Sequence, residues 1–182
     1  MALVAGQTWA LNETWYRLAP MVLAMAQRCL GSRSEAEDVT QEVFYRVFRK
    51  AHTLREPDRL RSFVYSFAIR VLKSELRRRR VRAWLSFGLP ETVEQAVDAP
   101  DVEHRDLLKR FYALLDRLTP RDRLVFVLRR IEGMTVEEIA ERLVISVSTV
   151  KRSMNHSTEF LMRWVSTDPE LSAVLTAEAL AP

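Results

Sequence analysis

The sequence predicts an all-α protein: two small helical domains joined by a flexible linker, the second containing a helix-turn-helix. Three observations carry this reading. Apolar residues recur at spacings of three and four almost throughout, the period of a helix face. Only four glycines occur in 182 residues, so few breaks are available. One segment, AWLSFGLPETVEQAVDAP, loses the periodicity and gathers Gly88, Pro90 and Pro100 with Glu91, Glu94 and Asp98, as an interdomain connection does. The boundaries that follow are 1–83 for the first domain, 84–102 for the linker, 103–166 for the second domain and 167–182 for a C-terminal tail.

Residues 11–30 predict a first helix that stops at Gly31. Ser34 followed by Glu37 gives a capping-box pattern that opens a second helix over 35–50. Pro57 falls in a polar loop, and a third helix runs over 60–82. Helices resume near 103. Thr119 and Pro120 supply an N-cap with proline at the first helical position, and Gly133 ends that helix. Thr135 and Glu138 form another capping box, opening a pair of helices over 135–165 joined by a tight turn, a spacing that suits a helix-turn-helix. The tail predicts one more short helix from Asp168-Pro169. Leu171, Val174 and Leu175 form its apolar side, which either packs back on the second domain or serves as a regulatory contact surface. No internal repeat is present.

Composition limits the function classes. With 48% apolar and 29% charged residues, the chain is that of a folded protein. The net charge of +4 is a modest sign of an acidic partner. More telling is the concentration of Arg and Lys in a few helices. The single cysteine, Cys29, excludes an internal disulfide and suits a reducing compartment. It lies in an apolar helical stretch as a packing residue, redox sensing being the lesser alternative. No apolar run approaches the ~18 residues of a spanning helix. The start, MALVAGQTWA, lacks a basic secretory leader, so a cytoplasmic location is expected. His52, His104 and His156 are far apart and no cysteine pair exists, so no metal site is signalled. Phosphate-cradling glycine loops and G-x-S-x-G are absent. The residues predict neither an enzyme nor a cofactor.

Three helix faces carry the chemistry. In the last long helix, Val150, Met154, Leu161 and Trp164 fall on one side. Ser148, Lys151, Arg152, Asn155 and His156 fall on the other, a set able to meet base edges or phosphates in a major groove. In the third helix, Leu60, Val64, Phe67, Ala68, Val71 and Leu72 form an apolar face. Arg70, Lys73, Arg77 and Arg80 line the opposite side. Such a row suits a phosphate backbone, a solvated charged face being the alternative. Arg78, Arg79 and Arg82 thicken its end, with Glu75 the only acid nearby. Phe63 and Tyr65, just upstream, either stack on bases of an opened strand or pack in the core. In the second helix Val39, Val43, Phe44 and Val47 turn inward. Asp38, Gln41, Glu42 and Tyr45 share the outer face at i, i+3, i+4 and i+7, which by charge alone is a solvated surface.

The order of AEDVTQEVF, a long helix ending in ELRRRR, then LTPRDRLVFVLRRIEGMTVEEIAERL and STVK resembles the bacterial sigma factors, specifically the small two-domain extracytoplasmic-function (ECF) group. The resemblance covers residues 11–82 and 105–163. It implies that the helix bearing Asp38, Gln41, Glu42 and Tyr45 docks on the coiled coil of the β′ subunit of core RNA polymerase. The loop from His52 to Arg59 and the helix after it, with Phe63, Tyr65, Arg70, Lys73, Arg77 and Arg80, would capture and melt the −10 promoter element. Ser148, Thr149, Lys151, Arg152, Asn155 and His156 would read the −35 element. The acidic linker would thread the core enzyme near the RNA exit path. The implied partners are core RNA polymerase (β′ coiled coil and β flap), promoter DNA and an anti-sigma factor. The chain departs from the family at Phe63-Val64 (commonly Trp-Leu), Arg70 (Asn) and Ser74 (Asp). In the last helix it departs at Arg152-Ser153-Met154 (Ser-Arg-Leu) and His156-Ser157-Thr158 (Arg-Ala-Arg). These departures bear on the promoter sequence at both elements. The residues also leave open a free-standing helix-turn-helix regulator and a sigma mimic that titrates an anti-sigma factor.

Overall fold

The computed structural model describes residues 2–85 and 102–174, with the side chains of 102–104 and 173–174 excepted. Among the described residues there is no strand, and the chain divides into two units, Met1–Pro90 and Glu91–Pro182. Residues 86–101, most of the predicted linker, lie outside the described residues.

The first unit is three helices: α1 (Thr8–Leu30), α2 (Arg33–Lys50) and α3 (Leu60–Leu85), with two short 3₁₀ turns, Ala51–Thr53 and Pro57–Arg59, between the last two. Gly31 ends α1 in the left-handed conformation (φ 73°), its N–H donating to the Gln27 carbonyl at 2.8 Å. The α2 cap is Ser32, whose Oγ accepts the Glu35 N–H at 3.3 Å, not the predicted Ser34. The cap falls two residues earlier than the capping-box spacing suggested, directly after Gly31. Val39, Val43, Phe44 and Val47 are buried as expected, against Val22, Met25, Ala26, Cys29 and Leu30 of α1 and the apolar face of α3. Full burial of such a side chain contributes about 1.5–3 kcal/mol. On α3 the buried set is Val64, Ala68, Ile69, Val71, Leu72 and Leu76, while Leu60 and Phe67 are only half-buried. This helix also continues through Trp84 and Leu85, which the 84–102 boundary had assigned to the linker.

Three arginines of α3 have internal work. Arg79, with its side chain 12% exposed, donates to the Leu30 carbonyl at 2.8 Å and lies 3.6 Å from the Glu35 carboxylate. Arg82 meets both Glu35 (3.6 Å) and Glu75 (3.1 Å), and Arg78 meets Glu75 (3.6 Å). Glu75 is therefore not the only acid nearby: folding brings Glu35 from α2. Arg79 and Arg82 thereby brace the α1–α2 corner, while the Arg78 pair stays within α3.

The second unit comprises α4 (Val102–Arg117), α5 (Pro120–Phe126), α6 (Val136–Leu143), α7 (Val147–Val165) and α8 (Pro169–Val174). Thr119 caps α5, its Oγ accepting the Asp122 N–H at 3.2 Å. Beyond α5 the helix widens over Val127–Ile131, where the Glu132 N–H reaches the Val127 carbonyl at 3.0 Å, and it stops at Gly133 (φ 69°). Leu115, Leu118, Leu124, Val125, Leu128, Ile139, Val150 and Leu161 are buried. So is Arg123, which pairs with Asp116.

The buried seam of α7 is Val150, Ser153, Ser157, Leu161 and Val165. Met154 is half-buried and Trp164 is exposed at the rim beneath the Arg117 guanidinium, 4.1 Å from the ring centroid, so the predicted apolar side was rotated. Serine makes the seam possible. The Ser157 hydroxyl donates to the Ser153 carbonyl at 2.7 Å and lies 3.3 Å from the Asp122 carbonyl of α5. Helix α8 packs back on this unit: Leu171 is buried, and Arg110 of α4 pairs with Asp168 (2.9 Å) and Glu170. The side chains of Val174 and Leu175 lie outside the described residues.

Candidate nucleic-acid and protein interfaces

The α6–α7 pair is built by local chemistry at both ends of each helix. Thr135 Oγ1 accepts the Glu138 N–H (3.1 Å), and the Glu138 carboxylate accepts the Thr135 N–H (2.8 Å). The latter bond, with the Thr135 hydroxyl next, holds the Glu138 carboxyl below the usual range. Val144 ends α6 at φ 55°, a strained conformation for a β-branched side chain, and is 88% exposed. The Ile145 N–H returns to the Ala140 carbonyl at 3.0 Å, closing the turn. Ser146 then caps α7, accepting the Thr149 N–H at 3.2 Å.

On α7, Lys151, Arg152 and Asn155 are exposed, with no hydrogen-bond or ion-pair partner among the described residues. Ser148 and Thr149 sit in the first turn with their hydroxyls 2.9 and 2.8 Å from Ser146 Oγ. His156 differs from its neighbours. Its Nδ1 lies 3.1 Å from Oδ2 of the buried Asp122, which also accepts the Thr119 hydroxyl at 2.7 Å. The ring is tied to α5 through one nitrogen, leaving Nε2 for a ligand. Asp122 was missed in the sequence because it lies 34 residues from His156.

In the first unit a groove of about 600 Å³ runs between the loop after α2 and the start of α3. Lys50, Arg55, Arg59 and Arg70 bring four cations to its lining against one carboxylate, Glu56, which pairs with Arg59 at 2.7 Å. Phe63 lines it and meets Phe67 edge-on at 4.9 Å, and the Arg70 guanidinium lies over the Phe67 ring at 5.6 Å. Phe67, predicted as core, is thus part of the groove. Tyr65 is half-buried on another face and does not line it. Farther along α3, Arg77 and Arg80 are exposed and Lys73 is half-buried.

On α2, Asp38, Gln41 and Tyr45 are exposed and Glu42 is half-buried, so the four share an accessible face. Glu42 pairs with Arg46 at 2.6 Å, and the Tyr45 hydroxyl accepts from Arg49 at 3.2 Å. Asp38 has no ion pair among the described residues. Beside this face lies a mainly apolar groove of about 350 Å³ lined by Trp15, Tyr16, Pro20, Leu23 and Gln41. Sequence reasoning passed over its α1 aromatics: Tyr16 is exposed, while Trp15 is half-buried edge-on against Phe44 at 4.8 Å, a difference set by helix packing. Among the described residues no group of His, Cys, Asp or Glu is placed to hold a metal ion, and no helix is long and apolar enough to cross a membrane.

A helix-turn-helix with an exposed polar face, joined to a unit carrying a basic aromatic groove, defines a two-part DNA-binding protein. Residues 15–82 match the family described as sigma-70 region 2, and residues 108–157 match sigma-70, region 4. The ferric citrate uptake sigma factor FecI of Escherichia coli is 32% identical over 137 residues, covering 72% of this chain and 77% of that protein. The ECF RNA polymerase sigma factor SigX of Bacillus subtilis is 28% identical over 138 residues, covering 72% and 71%. The fold is that of the sigma factor RpoE solved in complex with the anti-sigma factor NepR from Bartonella quintana, with a TM-score of 0.63, 19% identity, and 86% and 97% of the two chains covered. The chain belongs to the ECF group of sigma factors. It directs RNA polymerase to promoters, with core RNA polymerase and promoter DNA as its partners.

Proposed function

We propose the following division of roles. The α2 face of Asp38, Gln41, Glu42 and Tyr45 docks on the β′ coiled coil of core polymerase. The groove lined by Phe63 and Arg70 takes an unstacked base of the −10 element, and Lys73, Arg77 and Arg80 follow the phosphates beside it. Helix α7 enters the major groove at the −35 element with Lys151, Arg152 and Asn155 toward the bases or phosphates. Ser148 and Thr149 supply its first turn, and His156 approaches through Nε2. Tyr65 is the weakest member of the −10 set because it faces away from the groove. The second unit also meets the β flap, and an anti-sigma factor covers these surfaces when the chain is held inactive. Residues 1–83, 84–102, 103–166 and 167–182 serve as core-binding and −10 domain, linker, −35 domain and tail. The chain acts in the cytoplasm and carries no catalytic centre of its own.

The observation that carries this reading is where the docking and DNA-facing charges fall: Asp38 and Glu42 on the accessible face of α2, Lys50, Arg55, Arg59 and Arg70 lining the groove, and Lys151 and Arg152 on α7. An isolated DNA-binding regulator needs no carboxylate docking face. Run-off transcription on genomic fragments tests it. Core polymerase supplemented with the chain is expected to yield discrete transcripts whose start sites share two upstream elements. Unchanged initiation, together with tight duplex binding by the chain alone, would favour a free-standing regulator.

A further inference from the structure

Residues 2–7 belong to no helix and carry no periodic signal, yet they are not a loose end. The Gly6 N–H donates to the Leu3 carbonyl and the Gln7 N–H to the Ala2 carbonyl, each at 3.1 Å, folding the segment into a turn. Gly6 holds the left-handed conformation this requires (φ 68°). The turn places Leu3, only 9% exposed, in a buried cluster with Ala10 of α1 and with Ala51 and Leu54 of the loop after α2. Leu60 and Phe63 of α3 pack against that cluster.

Two of these residues, Leu54 and Phe63, also line the basic groove. The loop between α2 and α3 consists of two short 3₁₀ turns and exposes Arg55, Glu56, Pro57, Asp58 and Arg59. Such a loop has little intrinsic rigidity, and a groove that must hold an unstacked base needs fixed walls. We infer that residues 2–7 form a strap that positions the groove, with Leu3 as a positioning residue for the grip on single-stranded DNA. This rests on the reading of the groove as the −10 site.

The test uses the full chain bound to core polymerase. A randomised single-stranded DNA pool is selected against the wild-type complex, and the selected oligonucleotide is the probe. Leu3→Ala should weaken probe affinity roughly five- to tenfold, the scale of a partly lost apolar contact. Core affinity should stay at its wild-type value even though the thermal midpoint falls by several degrees, and the size-conserving Leu3→Met should restore probe binding. An L3A complex that grips the probe like the wild type overturns the strap alone. Parallel loss of core affinity also overturns it, by making Leu3 a mere packing residue. If the wild-type complex selects no oligonucleotide at all, the groove reading fails and the strap with it.

Discussion

Asp38 and Glu42 lie one helical turn apart on α2 and start from different states. Asp38 has no ion pair among the described residues, whereas Glu42 is held by Arg46 at 2.6 Å. An exposed helical pair of this kind contributes only a few tenths of a kcal/mol, yet Glu42 must give it up to face a partner. Asp38→Lys is therefore expected to weaken core binding by about tenfold or more, and Glu42→Lys by less, read by titrating labelled core polymerase. No effect from either would count against docking through this face; equal losses would discount only the part given to the Arg46 pair. On α7, Arg152→Ala or Asn155→Ala should cost about 1–3 kcal/mol at one −35 base pair, measured across a panel of single-base variants. A uniform loss over all sequences would reassign that side chain to phosphate. The exposed face of α7 was legible because helical period and polarity agree there. The tether on His156 was not, since its partner Asp122 is brought near only by the packing of α5 on α7.

At the scale of elements, the caps set what can be tested by pH and by backbone substitution. The Glu138 carboxyl lies below its ordinary range because it accepts the Thr135 N–H, with the Thr135 hydroxyl next. A depressed carboxyl contributes stability that is fully present above its unfolded value of about 4.3 and is lost as pH falls through the lower folded value. Acid should therefore loosen the start of α6 below about pH 4. Glu138→Gln should flatten amide-exchange protection of α6 across that window, and an unaltered pH profile would argue against the box. Val144→Gly relieves a left-handed β-branched residue and sacrifices an 88% exposed side chain. It should stabilise the second unit by about 1 kcal/mol, seen as a rise of a few degrees in Tm. The Thr135–Glu138 box, the Thr119-Pro120 start and the Gly31 and Gly133 stops were all legible, because caps are local in sequence. Three features were not. The α2 cap falls at Ser32, directly after Gly31, rather than at Ser34. The seam of α7 runs through Ser153 and Ser157, whose polarity hid them from an apolar count. Arg123 reads as surface until the fold buries it and Asp116, at the surface of α4, pairs with it.

For the whole molecule, two helical units and their order were readable from periodicity and from the composition of the segment between them. The use of the arginines was only half readable. Arg70 reaches the groove and Arg77 and Arg80 stay exposed, but Arg78, Arg79 and Arg82 turn to Glu35 and Glu75, because charge on a helix is redistributed by whichever acids the fold brings alongside. The docking carboxylates Asp38 and Glu42 and the cations of α7 occupy different elements, while the groove cations come from the end of α2 (Lys50), the loop after it and α3. The chain works as an adaptor between a protein machine and DNA. Equilibrium titration of the purified chain against core RNA polymerase should give saturable binding at one chain per core, weakened by Asp38→Lys and unaffected by Arg152→Ala; no affinity for core polymerase would refute the adaptor role.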